Sequence, residues 1–176
     1  KSLRANTTGA ENTAVGKEAL PNNTTGASNV GLGLGALFAN TTASNNTAVG
    51  TNSLNSNTTG AFNTAVGSTC LVANTTGTEN CAIGVNALDI NTTGSNNVAM
   101  GTLALHANTT ASNNTALGKS ALAANTTGAE NTALGGGAGA SATTGSGGIY
   151  IGKGAVPNGA TDSYSTVIGT GITGKG

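Results

Sequence analysis

Asn6-Thr7-Thr8-Gly9-Ala10-Glu11-Asn12-Thr13-Ala14-Val15-Gly16-Lys17-Glu18-Ala19-Leu20-Pro21-Asn22 is one unit of a repeat, and its period decides the fold of this chain. The tetrad that opens it, Asn-Thr-Thr followed by Gly or Ala, starts again at Asn23, Asn40, Asn57, Asn74, Asn91, Asn108 and Asn125. Each start lies 17 residues after the last, without insertion. A fixed period of this size marks a solenoid or related array. Near the end of the chain, Ile149-Tyr150-Ile151-Gly152 and Thr166-Val167-Ile168-Gly169 keep the phase of Thr13-Ala14-Val15-Gly16. About ten coils are therefore predicted: a regular repeat over residues 1–141 and two degenerate coils of the same solenoid over 142–176.

The composition restricts the alternatives. Of 176 residues, Thr (31), Gly (29), Ala (29) and Asn (24) supply about two thirds. Charged residues are 7% and aromatic residues 2%, with six Lys or Arg against six Asp or Glu. A chain with no net charge gives no electrostatic footprint for nucleic acid, and no apolar run is long enough to insert in a membrane. Disordered segments are rich in charge and proline, whereas this chain has two prolines and strict periodicity. Helix is disfavoured because each regular unit repeats a Gly (Gly16, Gly33, Gly50 and onward) among many Asn and Thr.

Each position of the unit heads a row running along the stack. The Val15 row reads Val15, Leu32, Val49, Val66, Ile83, Met100, Leu117, Leu134. It is always apolar and is predicted to face the core. Two residues earlier, on the same strand face, the Thr13 row (Thr13, Val30, Thr47, Thr64, Cys81, Val98, Thr115, Thr132) is expected to point inward too. A second core row is Leu20, Leu37, Leu54, Leu71, Leu88, Leu105 and Leu122. Between Thr13 and Val15 runs Ala14, then Gly31, then Ala48, Ala65, Ala82, Ala99, Ala116 and Ala133, predicted to form a flat outer stripe. That stripe is the candidate subunit interface of a homotrimer, since closed cyclic symmetry would bury it in every copy. The rows headed by Asn6 (with Asn23 and Asn40) and Asn12 (with Asn29 and Asn46) suit turn residues that bond their own backbone and tolerate left-handed conformation. Stacked at strand spacing, they also predict amide ladders.

Asn12-Thr13-Ala14-Val15-Gly16 and its variants Asn80-Cys81-Ala82-Ile83-Gly84 and Asn97-Val98-Ala99-Met100-Gly101 resemble the N-S-V-A-I-G repeat of YadA-type heads in trimeric autotransporter adhesins. The ending, Ser165 to Gly176, is similar to the stretch that precedes the self-cleaving chaperone domain of phage tail fibres and related surface fibres. The resemblance implies a left-handed parallel β-roll, trimeric, on an extracellular, cell-surface or virion fibre, with a role in adhesion or as a stalk and no catalytic residues. Both ends are expected to adjoin further segments of a longer chain, because the repeat opens mid-coil and stops without a polar cap.

Chemical signals are few. Gly169-Thr170-Gly171-Ile172-Thr173-Gly174 matches a dinucleotide-binding spacing, but no helix or acidic residue follows it. A glycine-rich terminal coil explains it better. His106 is the single histidine and stands in the variable row Pro21, Phe38, Asn55, Val72, Asp89, His106, Ala123, so it is read as a solvated loop residue. Cys70 takes an Ala position and Cys81 a Thr/Val position, which predicts buried or half-buried free thiols over a disulfide. The carboxylates Glu11, Glu18, Glu79, Asp89, Glu130 and Asp162 do not recur through the stack, which argues against paired acid/base chemistry or a calcium roll. Every Asn-Thr-Thr is formally a glycosylation acceptor, although turn formation accounts for the same regularity. Thr7 and Thr8 supply one outward Thr file, short of the two parallel files of an ice-binding face.

The sequence thus predicts a non-enzymatic β-solenoid without metal or cofactor, a structural or adhesive segment of a fibre. Its partners are expected to be copies of itself and a host-surface receptor or glycan. Binding by the rod itself is expected at Phe38, Phe62, Leu34 and His106, or at Tyr150 and Tyr164. The alternatives are a filament subunit joined end to end and an ice-binding Thr array.

Overall fold

The computed structural model describes residues 1–174 and contains ten three-residue strands. They are β1 (Thr13–Val15), β2 (Val30–Leu32), β3 (Thr47–Val49), β4 (Thr64–Val66), β5 (Cys81–Ile83), β6 (Val98–Met100), β7 (Thr115–Leu117), β8 (Thr132–Leu134), β9 (Ile149–Ile151) and β10 (Thr166–Ile168). Among the described residues there is no helix. The strands form one parallel sheet in chain order, and each pairing repeats the first: Thr13 beside Val30, Ala14 beside Gly31, Val15 beside Leu32. The chain is an all-β parallel solenoid whose ten strands bound nine complete laps. The degenerate coils stay in the ladder, Ile149 pairing with Thr132 on one side and Thr166 on the other. Lys175 and Gly176, the last residues of the fibre-like ending, lie outside the described residues.

Pairing continues around the lap. The Leu20 N–H donates to the Ala36 carbonyl (3.0 Å), Thr24 to Thr41 (2.8 Å), and Gly33 back to Val15 (2.8 Å). Backbone groups that one coil leaves open are satisfied by its neighbours, so a coil is stable only within the stack.

The bends of each lap fall at positive φ. Glu11 (58°), Glu18 (57°) and Leu20 (48°) are left-handed, and so are their equivalents in most later coils, while the Gly16 row lies further out, at 135° in Gly101. The Asn6 and Asn12 rows are absent from this set, contrary to the expectation of left-handed asparagines. A left-handed Leu costs about 1–2 kcal/mol. Burying its side chain returns about 1.5–3 kcal/mol, so Leu is retained at the bend.

Leu20, Leu37, Leu54, Leu71, Leu88, Leu105 and Leu122 are completely buried, as expected. The strand, however, faces opposite to the sequence reading. Ala48, Ala65, Ala82, Ala99, Ala116 and Ala133 are fully buried, whereas Val15, Leu32, Ile83, Leu117 and Leu134 are 40 to 55% exposed. Val49, Val66 and Met100 are half-buried on the same outer face, and the Thr13 row is exposed or half-buried beside them. The reason is width. A Cβ placed on Gly31 would lie 3.2 Å from Leu20 Cδ1, so the leucine spans the interior and only a small side chain fits opposite it. The Ala14 row is consequently core and unavailable as a subunit interface.

One coil solves the width problem differently. Tyr150, in the Ala14 row, is fully buried. Its ring takes the space released where Gly139 replaces the row's Leu and Gly148 replaces its Asn. A Cβ on Gly139 would meet Tyr150 Cδ2 at 2.7 Å, and one on Gly148 would meet Cζ at 2.6 Å.

Gly101 and Gly136 make a controlled pair. A Cβ on Gly101 would stand 2.6 Å from the Gly118 carbonyl, at φ 135°, whereas at exposed Gly136 its nearest neighbour is Lys119 O at 3.9 Å. Denaturant unfolding is expected to show a loss of about 3 kcal/mol or more for Gly101→Ala and a change within about 0.5 kcal/mol for Gly136→Ala.

Candidate functional site

Two features recur with each coil, a pair of buried amide ladders and an exposed sheet face. In the first ladder, Asn23 Nδ2 donates to Asn6 Oδ1 (2.8 Å) and to the Gly26 carbonyl within its own turn (2.9 Å). The pattern repeats through Asn40, Asn57, Asn74, Asn91, Asn108 and Asn125. In the second, the Asn29 backbone N–H and Nδ2 both donate to Asn12 Oδ1 (3.0 and 3.1 Å), and Nδ2 also donates to the Ala43 carbonyl (2.8 Å). Asn46 to Asn114 repeat it, Asn131 keeps the bonds from its backbone N–H and to the Gly145 carbonyl, and the Gly148 N–H closes the ladder on Asn131 Oδ1 (2.8 Å). A buried amide is costly unless bonded, and here each is satisfied by the coil beside it. Where the first ladder ends, Asn125 Oδ1 is buried without a partner, because the next residue in its row is Ala142.

The ladders also bear on the glycosylation motif. From Asn23 to Asn125 the acceptor amides are fully buried and hydrogen-bonded, so the folded coil does not present them for attachment. The first Thr of the motif is engaged as well in every coil but that of Thr41, as where Thr24 Oγ1 donates to the Thr41 carbonyl (3.0 Å). The second Thr (Thr8, Thr25, Thr42 and onward) forms one exposed file. The Thr13 row lies on the outer face of the sheet, but Val30, Cys81, Val98 and Ile149 interrupt its hydroxyls.

That outer face carries the Thr13 and Val15 rows side by side over ten strands. Its large apolar side chains continue into the degenerate coils, with Ile168 65% exposed. The other sequence candidates do not converge. Phe62 and Leu34 are exposed singly, Phe38 is half-buried, and Tyr164 is 80% exposed whereas Tyr150 is interior and cannot serve a surface role. His106 is partly solvated but not isolated: its Nδ1 lies 2.6 Å from Oδ1 of Asp89, one coil below. Among the described residues no cluster of three or more His, Cys, Asp or Glu is placed to hold a metal ion. The glycine-rich run continues the solenoid, Thr173 pairing with Val156 and the Gly174 N–H donating to the Val156 carbonyl (2.9 Å). Among the described residues no helix is long and apolar enough to cross a membrane.

Both thiols are free, as the sequence suggested. Cys70 is buried, and its Sγ–H donates to the Ala82 carbonyl (3.1 Å). Burial, reinforced by Cys81 and Asp89, pushes its pKa up to about 12 against the Val66 backbone bond that lowers it. Cys81 is half-buried on the outer face, where burial also pushes its thiol up.

Four outcomes follow from this geometry. Asn63→Ala strands the buried Asn80 N–H and removes one of the two amide donors to the Gly77 carbonyl, and is expected to cost about 2 kcal/mol or more in equilibrium unfolding. Ala142→Asn extends the first ladder by one rung and is expected to add about 1 kcal/mol. In a thiol-labelling assay at mildly alkaline pH, Cys70 is expected to remain unmodified until the chain unfolds, since little thiolate forms below its raised pKa. Its effect on stability has a definite sign: a thiol held protonated in the fold but ionising at about 9 when unfolded weakens the fold as pH rises from about 9 to about 12.

Compared with known proteins, the chain matches no protein-family model, no curated protein and no solved structure.

Proposed function

We propose that this chain is a structural and adhesive segment of an extracellular or virion fibre, a stiff rod or head that holds a binding tip away from the surface bearing it. The observation that carries this reading is the unbroken ladder: ten strands in one register, flanked by two rows of buried amides. Such a stack resists bending because every lap is bonded to its neighbours around its circumference. At about 4.8 Å per coil it spans roughly 45 Å. The work is mechanical and not catalytic, and the tip's ligand is a host-surface receptor or glycan. The likeness of its Asn-Thr-Ala-Val-Gly units to the head repeats of trimeric adhesins points the same way and favours a left-handed roll.

The rod acts as a homotrimer. Its interface is the outer face of the Thr13 and Val15 rows, not the Ala14 row. Apolar side chains exposed in a continuous stripe mark an interaction surface, and cyclic symmetry covers the same stripe in every copy. End-to-end filament growth is the second reading, since coils stacked in one register can add to one another through their strand edges.

Light scattering with electron microscopy tests the proposal. Three chains per particle and straight rods of roughly 45 Å are expected; Cys81 should be shielded from labelling in the assembly. Single chains at micromolar concentration would contradict the trimer. Long uniform fibres would favour the filament.

A further inference from the structure

Away from the outer sheet face, the Glu11 row runs along a bend of the lap and carries Tyr164 in its tenth coil. Tyr164 is left-handed, at φ 56°, and 80% exposed. The leucines recover the cost of that conformation by burial, whereas an exposed tyrosine does not. An unrepaid cost of this kind points to a functional site.

The ring has a built seat. The Tyr164 N–H donates to the Ser146 carbonyl (2.7 Å), which fixes its backbone beside Gly147, the preceding member of the row. A Cβ on Gly147 would stand 2.6 Å from Tyr164 Cδ1 and 2.8 Å from Cε1, so one side of the ring rests on Gly147 and a side chain there would displace it. The rest of the ring is open to solvent. Phe62, the other aromatic residue of the row, has Asn45 in the place of Gly147 and lacks this seat. One coil beyond Gly147, at about 4.8 Å, the row continues with Glu130. Its carboxylate is exposed and forms no ion pair among the described residues. Asp162, two residues before the tyrosine, is committed to its own turn, where its Oδ2 accepts from the Gly159 N–H (2.7 Å).

We infer that Tyr164, seated on Gly147, and Glu130 bind a hexopyranose unit of a neutral glycan. This goes beyond the fibre reading, which puts the ligand at the tip: it places a sugar site on the rod itself and does not depend on the oligomeric state. A pyranose ring has a face of C–H groups and a rim of hydroxyls. The weakly positive C–H groups cover the negative face of the tyrosine ring, and a hydroxyl donates to the Glu130 carboxylate in a charge-assisted bond. The charges of the row select among sugars. With Glu11, Glu79 and Glu130 and no lysine or arginine, it repels a sialic or uronic acid.

Binding of the whole chain to immobilised lactose, cellobiose and sialyllactose tests this. At least one neutral disaccharide is expected to bind about tenfold or more tighter than sialyllactose. Tyr164→Ala should weaken that binding about tenfold or more, while Tyr164→Phe keeps it, since the ring makes the contact. Glu130→Gln should weaken it several-fold. Gly147→Asn introduces the residue that Asn96 and Asn113 carry in the same row at φ 58° and 62°; it should leave the circular dichroism unchanged yet weaken binding by displacing the ring. No retention on either neutral sugar, binding that ignores Tyr164→Ala, or tighter binding of sialyllactose overturns the site. Retention of a trimethylammonium probe in place of the sugars marks a cation site and overturns it too. Straight trimeric rods that bind neither neutral sugar overturn this inference alone and leave the fibre reading standing.

Discussion

Seventeen residues to the lap leave an interior one leucine deep, and this narrowness governs the rest of the molecule. Leu20 and its equivalents reach across from one wall, so the strand opposite presents Ala, or Gly at Gly31, to meet them. The larger apolar residues of the same strands are turned outward by the alternation of a β-strand. The stripe that needs a partner is thus the reverse side of the packing that holds each coil together. Tyr150 fits the same limit, since its ring enters only where Gly139 and Gly148 have removed a leucine and an asparagine.

So thin an apolar core is supplemented by a polar one. Asparagine is costly to bury alone, yet in each coil its donors and acceptor meet groups of the coils on either side. Neighbour-dependent bonding of this kind makes stability a sum over interfaces and rewards length. It also locates the weak point. Asn125 Oδ1 is the unfilled end of one ladder, at the boundary where regular repeat gives way to degenerate coils.

Much of this was legible in the sequence. An unbroken period of 17 fixed the number and placement of the strands, the Leu row and the amide rows, and the free thiols followed from the size of the residues they replace. Inside and outside were not legible for the strand itself. The Val15 row reads as inward because it is always apolar, but apolarity does not require burial, and in a narrow roll size decides. The inverted face moved the candidate interface from Ala65 and its row to Val66 and its row. Three of the scattered carboxylates, Glu11, Glu79 and Glu130, share one exposed row at a bend of the lap, as the period of 17 requires. His106 gave no such clue, since its contact with Asp89 depends on their standing in adjacent coils of one row.

The unfolding free energy of Ala65→Leu, measured on single chains in dilute solution, tests the central claim most directly. With Ala65 enclosed beneath the leucine row, the added side chain overfills the interior, and a loss of about 3 kcal/mol or no cooperative fold at all is expected. Stability equal to or above that of the unaltered chain would place the alanines on the surface and contradict the account.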